Sequence, residues 1–186
     1  MIIHAGDLTG SGDLLEVMSF LEWFSVLDFK HKIFIAGNHD YFFDGLSRES
    51  LESILPEGIT YLNDSGVVVE RINIWGSPIQ PWFHDWAFNR RRGEEIQKHW
   101  NLIPKNTDIL ITHGPPFGIL DRTTAGANAG CENLAETMMS LSVKLHVFGH
   151  IHESYGLKTA GRTTYVNASV LDDRYNLSHA AIELDF

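Results

Sequence analysis

The stretch Met1-Ile2-Ile3-His4-Ala5-Gly6-Asp7-Leu8-Thr9-Gly10 decides the fold. Met1, Ile2, Ile3 and Ala5 are apolar enough for a buried strand, and that strand runs straight into Gly6-Asp7. A carboxylate past the carboxyl end of a strand stands where open α/β sheets place their chemistry, in the crevice outside the strand ends. Outward from it, Thr9 to Gly12 reads as a turn and Asp13 as the N-cap of a helix reaching about Leu27. Leu14, Met18, Leu21 and Val17, Phe20, Phe24, Leu27 recur at helical spacing and predict a wide apolar face. Lys32 to Ala36 then reads as a second buried strand, ending at Gly37-Asn38-His39-Asp40. Strand, helix, strand is the βαβ unit of a parallel sheet.

The pattern repeats less regularly downstream. Ser47 to Leu55 suits a short helix closed by Pro56. Ile59 to Leu62, Gly66 to Glu70 and Arg71 to Trp75 suit strands, the last two a hairpin. Gly76 to Pro81 breaks the periodicity and leads into the aromatic Trp82, Phe83, Trp86, Phe88. Gly93 to Trp100 predicts a helix, Asp108 to Thr112 a strand ending at His113-Gly114-Pro115-Pro116, and Glu132 to Leu141 a helix. Leu145 to Phe148 predicts a strand ending at Gly149-His150-Ile151-His152, with two more near Thr164 to Asn167 and Ala180 to Leu184. No repeat or linker interrupts residues 1–186, so a single α/β domain is expected.

Composition narrows the function classes. Acidic residues outnumber basic ones, 24 to 14, for a formal charge of −10, which disfavours broad nucleic-acid binding and suits a carboxylate-rich metal site. One cysteine, Cys131, permits no internal disulfide and fits a reducing compartment. No apolar run reaches the ~18 residues of a membrane span, and no signal-peptide pattern opens the chain. The expectation is a cytoplasmic protein without membrane partners.

Four times an apolar strand runs into a tight turn that carries metal-competent side chains: HAGD, AGNHD, THGPP and FGHIH. Parallel strands bring such turns together at one sheet edge. Asp, Asn and His are donors for Mn²⁺, Fe²⁺ or Zn²⁺, and without cysteine ligands a zinc finger is excluded. Taken singly, HAGD and THGPP read more readily as a capped turn or a satisfied histidine, GNHD has fewer structural reasons to occur, and GHIH, whose alternate residues can reach two partners, fewer still. The conjunction points to a metal site. The other histidines, His4, His31, His84, His99, His146 and His179, share no such placement and read as structural, His4 excepted because its strand leads into the site.

In these motifs the chain resembles the calcineurin-like metallophosphoesterases. HAGDLTG, AGNHD, GSPIQPWF, THGPPFGILD, GHIHESYG and VNAS resemble the metallophosphoesterase-domain (MPPED-type) phosphodiesterase branch over nearly the whole length. The resemblance implies an αββα sandwich of two mixed β-sheets with two metals at the strand ends. By position, Asp7 is the bridging ligand, Asn38, His113 and His150 complete one metal's shell, and His152 binds the other. His39 stands over the phosphate as charge stabiliser and acid for the departing alkoxide, and Asn38 also meets substrate. The cofactor implied is a divalent ion, Mn²⁺ first, with Fe, Zn or Ni as alternatives. The substrate implied is a phosphodiester, cyclic or otherwise of nucleotide type.

Two departures qualify the expectation. The family pattern begins with a strand ending in D-x-H, and no D-x-H precedes Asp7. One site is therefore expected complete and its neighbour left with Asp7 and His152. Three readings of the absent first strand stand: a truncated start, a short form whose gap is filled by its own chain or by a homodimer partner covering the open sheet edge, or a degraded paralogue. The second departure is Gly10, where many members carry a carboxylate that orients the GNH histidine; Asp40 or Asp13 are the candidates to compensate. A phosphomonoesterase or phosphoprotein phosphatase, and a catalytically impaired metal- or nucleotide-binding domain, are the alternative functions. Tyr41, Phe42 and Phe43 offer a nucleobase stack or core packing, with packing expected for at least two; Trp82, Phe83 and Trp86 offer a pocket wall or a lid. Arg122 offers a substrate-phosphate contact or a surface ion pair, with the ion pair expected; Asn167 offers a hydrogen bond near the site or a turn cap, with the cap expected; and Cys131 is read as buried filler.

Overall fold

The computed structural model describes residues 1–186, except for the side chains of Arg48 and Glu52. Strand β1 (Ile2–Ala5) leads to helix α1 (Leu14–Val26) and strand β2 (Lys32–Ile35). Helix α2 (Arg48–Ile54) and strand β3 (Ile59–Tyr61) follow. The hairpin β4 (Ser65–Val69) and β5 (Ile72–Ser77) comes next, then the short pair β6 (Gln80–Pro81) and β7 (Asn89–Arg90). Helix α3 (Glu94–Trp100), strand β8 (Ile109–Thr112), helix α4 (Glu132–Ser140) and strand β9 (Leu145–Phe148) precede a final hairpin, β10 (Gly156–Ala160) and β11 (Thr163–Asn167).

Two main sheets result. One has the order β1-β2-β3, all parallel; the other has β10-β11-β9-β8-β5-β4, parallel at its centre and antiparallel at both rims. Alternation sorts the side chains. Ile33 and Ile35 of β2, Ile109 and Ile111 of β8, and Leu145 and Val147 of β9 share one buried cluster between the sheets. Phe34 turns the other way, edge-on to Phe20 and Phe24 of α1. Leu110 and Phe148 share a second cluster with Trp100 of α3 and Leu134 of α4. Central strands covered on both faces read as near-continuous apolar runs, which is why KIFI, ILIT and LHVF are legible in the sequence despite the buried His146 and Thr112. The sheets approach closely at Gly76, where a Cβ would come within 2.8 Å of the Ile35 side chain.

Helix boundaries follow their caps. Asp13 accepts from the Leu15 amide and Ser47 from the Ser50 amide. Cys131 is more than filler, since its sulfur accepts from the Leu134 amide at the start of α4. The α1 face is narrower than its pattern predicts: Val17, Phe20, Leu21 and Phe24 are buried, whereas Leu14 and Met18 are about half exposed. One sheet alone covers α1, so only the stripe centred on Phe20 and Phe24 finds a partner. Ala180 to Leu184 is not a strand. It is held by Ile182 against the inter-sheet cluster and by the Tyr155 hydroxyl, which donates to the Ala180 carbonyl at 2.9 Å. Without a neighbouring strand its backbone groups have no ladder to join. The strand that no alternation suggests is β10, whose Leu157, Lys158 and Thr159 are all exposed.

Candidate metal centre

The ends of β1, β2, β8 and β9 converge. Gly6 takes φ +96°, and a Cβ there would lie 2.6 Å from the His113 ring and 2.7 Å from the Ala36 carbonyl. Only glycine lets the first turn pass that closely. Asp7 and His150 themselves adopt φ +57° and +69°, the left-handed region that non-glycine residues occupy at a cost of about 1–3 kcal/mol. Both strained residues aim their side chains at the same point. Asp7, His113 and His150 each present a ligand atom, all within 4.8 Å of one another. Asn38 joins them through its Oδ1, 2.8 Å from His113 Nε2.

His113 defines the chemistry of this point. Its Nδ1 donates to the Ala5 carbonyl at 3.0 Å, which in a neutral ring leaves the lone pair on Nε2. Yet Nε2 faces two further acceptors, Asn38 Oδ1 and, at 3.4 Å, Asp7 Oδ2. Burial alone would lower the His113 pKa, but the Asp7 charge and hydrogen bond outweigh it and the pKa rises. Burial would likewise raise Asp7, and His113 together with the His39 amide pulls it well below the carboxylate range. The negative charge of Asp7 is thus balanced by a proton on His113 or by a cation among these donors. His150 stays neutral, lowered to about 3 by burial and then by His113 at a ring distance of 4.9 Å. A neutral imidazole is what a metal requires of a ligand, so the donor set fits a divalent ion.

His39 is placed differently. Its amide donates to Asp7 Oδ1 at 3.0 Å, and its Nδ1 lies 2.9 Å from the Gly10 carbonyl. Gly10 thus orients His39 through its backbone. Neither Asp40 nor Asp13 does so: Asp13 caps α1, and Asp40 is fully buried beneath the two turns. The Asp40 carboxylate accepts from the Gly37, Leu8 and Thr9 amides and the Thr9 hydroxyl, fastening the Asp7 turn to the Asn38 turn. His152 lies outside the close cluster but lines the same cleft. Its Nδ1 donates to the Asp172 carbonyl at 2.8 Å. Asn167, buried, donates to the carbonyls of Ile151 and Leu120 and so supports the turn between His150 and His152. Asp121 braces the other turn by accepting from the Gly118 and Gly130 amides.

A cleft of about 400 Å³ opens over these groups, and a second of about 550 Å³ adjoins it; Asp7, His39, His152 and Tyr175 line both. Trp82, Phe83 and Trp86 wall the first cleft, with Trp86 against His39 at 4.3 Å. Phe43 is buried and Phe42 packs on the core, while Tyr41 stays partly exposed beside Trp86. Arg92, not anticipated from sequence, lines the cleft but is committed to Glu132 and the carbonyls of Ala129 and Gly130. Arg122 makes no ion pair among the described residues; its backbone bonds Ser154 in both directions. Of the histidines read as structural, His99 bonds Asp64 and Arg90, and His31 bonds Glu70. Tyr175 and Asp172 carry no signal in the sequence, because their role depends on a loop closing from a distant part of the chain.

Comparison with known proteins bears on this geometry. A calcineurin-like phosphoesterase family model matches residues 1–154. Over 209 aligned positions the chain is 43% identical to the human "Metallophosphoesterase domain-containing protein 1", covering all of this chain and 64% of that one. It is 35% identical to "UPF0046 protein K07C11.7" of Caenorhabditis elegans, covering 91% of this chain and 62% of that one. The chain spans a little under two thirds of the length of these relatives. Among solved structures, TT1561 of Thermus thermophilus superposes with a TM-score of 0.58 at 16% identity, covering 92% of this chain and 80% of that one. Phosphopantetheinyl hydrolase (PptH) from Mycobacterium tuberculosis gives 0.60 at 14% identity, covering 93% and 79%. Both likenesses concern the αββα fold alone.

Proposed function

The chain belongs to the calcineurin-like phosphoesterase family, and we propose that it hydrolyses phosphoric esters, phosphodiesters of nucleotide type above all, with Mn²⁺ as the preferred ion. The observation that supports this reading is the convergence of Asp7, His113 and His150, whose ligand atoms lie within 4.8 Å of one another, with Asn38 Oδ1 2.8 Å from His113 Nε2. Asp7, Asn38, His113 and His150 would hold one ion, and Asp7 with His152 would offer the start of a second site. Held there, divalent ions supply Lewis acidity toward the phosphoryl oxygens and toward water.

The remaining work falls to the chain itself. His39, its Nδ1 fixed on the Gly10 carbonyl, presents Nε2 to the cleft, where the protonated ring would neutralise phosphoryl charge and donate to the leaving oxygen. The Asn38 amide would donate to a phosphate oxygen. The rival reading is a binding domain without turnover; it is favoured by there being one close cluster of donors among the described residues. Hydrolysis of bis(p-nitrophenyl) phosphate, titrated with Mn²⁺ after chelator treatment, separates the two. Turnover that depends on the ion and disappears in His39→Ala at unchanged metal content supports the enzyme. Folded, metal-loaded chain without turnover supports the binder.

We propose too that a second copy of the chain covers the outer edge of β1, which among the described residues pairs with β2 alone. On α1, Leu15, Trp23 and Val26 are also exposed and add apolar surface for such a contact. A monomeric mass by light scattering at micromolar concentration would refute this.

A further inference from the structure

Tyr175 sits where a structural tyrosine has no reason to be. It stands at the tip of the loop joining the bridged residues Leu171 and Leu177, with φ +61°, and 62% of it is exposed. A left-handed position in a turn suits glycine or asparagine, and Asn176 is the next residue. Instead an aromatic ring is held there, edge-on to His152 at 5.4 Å and to His39 at 6.1 Å. The loop is built to keep it there. Asp172 Oδ1 accepts from the amides of Arg174 and Asn176, its Oδ2 from the Ser178 hydroxyl, and its carbonyl from the Tyr175 amide. The same Asp172 carbonyl takes the His152 proton at 2.8 Å. One residue thus fixes both the histidine and the ring beside it.

Trp86 also packs on His39, at 4.3 Å. The candidate acid therefore neighbours two aromatic rings, and both line the 400 Å³ cleft, a volume in the range of small-molecule pockets. Charge on the rim narrows what can enter. Glu153 and Asp173 line this cleft, and its arginine is already spent on Glu132 and two carbonyls. Among the described residues, no lysine or arginine lining it is left to receive a second phosphate. Resting on the phosphoesterase reading, we propose that Trp86 and Tyr175 form a subsite for a planar, uncharged aromatic leaving group, placed so that its ester oxygen comes to His39. Base–aromatic stacking is worth about 1–3 kcal/mol per ring by alanine substitution, or roughly a 5- to 150-fold change in affinity.

The test uses the full chain with Mn²⁺ and two probes, phenylphosphonate and methylphosphonate, titrated calorimetrically. The phenyl compound is expected to bind on the order of 10-fold more tightly or better. Tyr175→Ala and Trp86→Ala are each expected to reduce that ratio several-fold while methylphosphonate binds as before, and Tyr175→Phe is expected to keep it, since the ring remains. Equal affinities for the two probes, no binding of either, or a ratio untouched by both alanine variants would overturn the subsite. A phenyl preference in a chain that hydrolyses no diester would sink the phosphoesterase reading and leave the subsite standing. Diester turnover without the preference would do the reverse.

Discussion

The two halves of the site are built to different tolerances. Asn38 and His113 end β2 and β8, strands covered on both faces, and are 4% and 1% exposed. His152 and Tyr175, by contrast, are held by one loop that Asp172 closes, and both remain within reach of solvent. Burial on one side fixes donors before any ligand arrives; on the other, loop hydrogen bonds hold groups that solvent still reaches. On the proposed reading, the charge-handling part of the site comes from the sheets and its selective part from loops. That division predicts unequal responses to substitution.

The largest effect belongs to the sheet side. His113→Ala and His150→Ala are each expected to lower Mn²⁺ affinity by well over the ~10- to 100-fold typical of residues that merely support a ligand, with His152→Ala costing clearly less. Metal content after dialysis reads this directly, and equal losses would erase the distinction between the halves. Next, His39→Ala should lower kcat by about 10²–10⁴ with metal content intact; intact turnover would remove His39 from the chemistry. Third comes Asp40, the brace beneath both turns. Asp40→Ala orphans several buried amides at about 1–3 kcal/mol apiece in the worst case, so urea unfolding should show a loss of a few kcal/mol. A loss under about 0.5 kcal/mol would place the brace elsewhere.

The smallest effect is a pH slope. Burial lowers His146 to about 3, so between pH 6.5 and 3 the unfolded chain binds a proton there that the folded chain does not. Stability should thus fall as pH falls through that window, by up to about 1.4 kcal/mol per unit from this residue. His146→Leu should flatten the slope measured by urea unfolding at pH 6 and 5; an unchanged slope would assign it to other groups.

What the sequence discloses follows the same line. Strands covered on both faces are mostly apolar, so KIFI, ILIT and LHVF announce themselves, and with them the turns that bear Asn38, His39, His113 and His150. Asp13 and Ser47 mark their helices for local chemical reasons. Contacts made between distant loops leave no trace. That Gly10 orients His39 through a carbonyl is invisible because every residue has one. Tyr175 and Asp172 lie in a segment whose composition says only "turn". Ala180 to Leu184 is apolar enough for a strand, yet composition cannot supply the neighbour that a ladder needs.

Cys131, the chain's single thiol, caps α4 with its sulfur and is 1% exposed, and burial holds its pKa above the ordinary thiol value. It therefore serves as an intrinsic clock for breathing at this end of the molecule. A thiol reagent can mark it only during moments when the α4 cap and the Pro116–Cys131 bridge come undone. The labelling rate, followed with and without metal, would report how far occupancy of the centre quiets motion in the loop that leads back from His113.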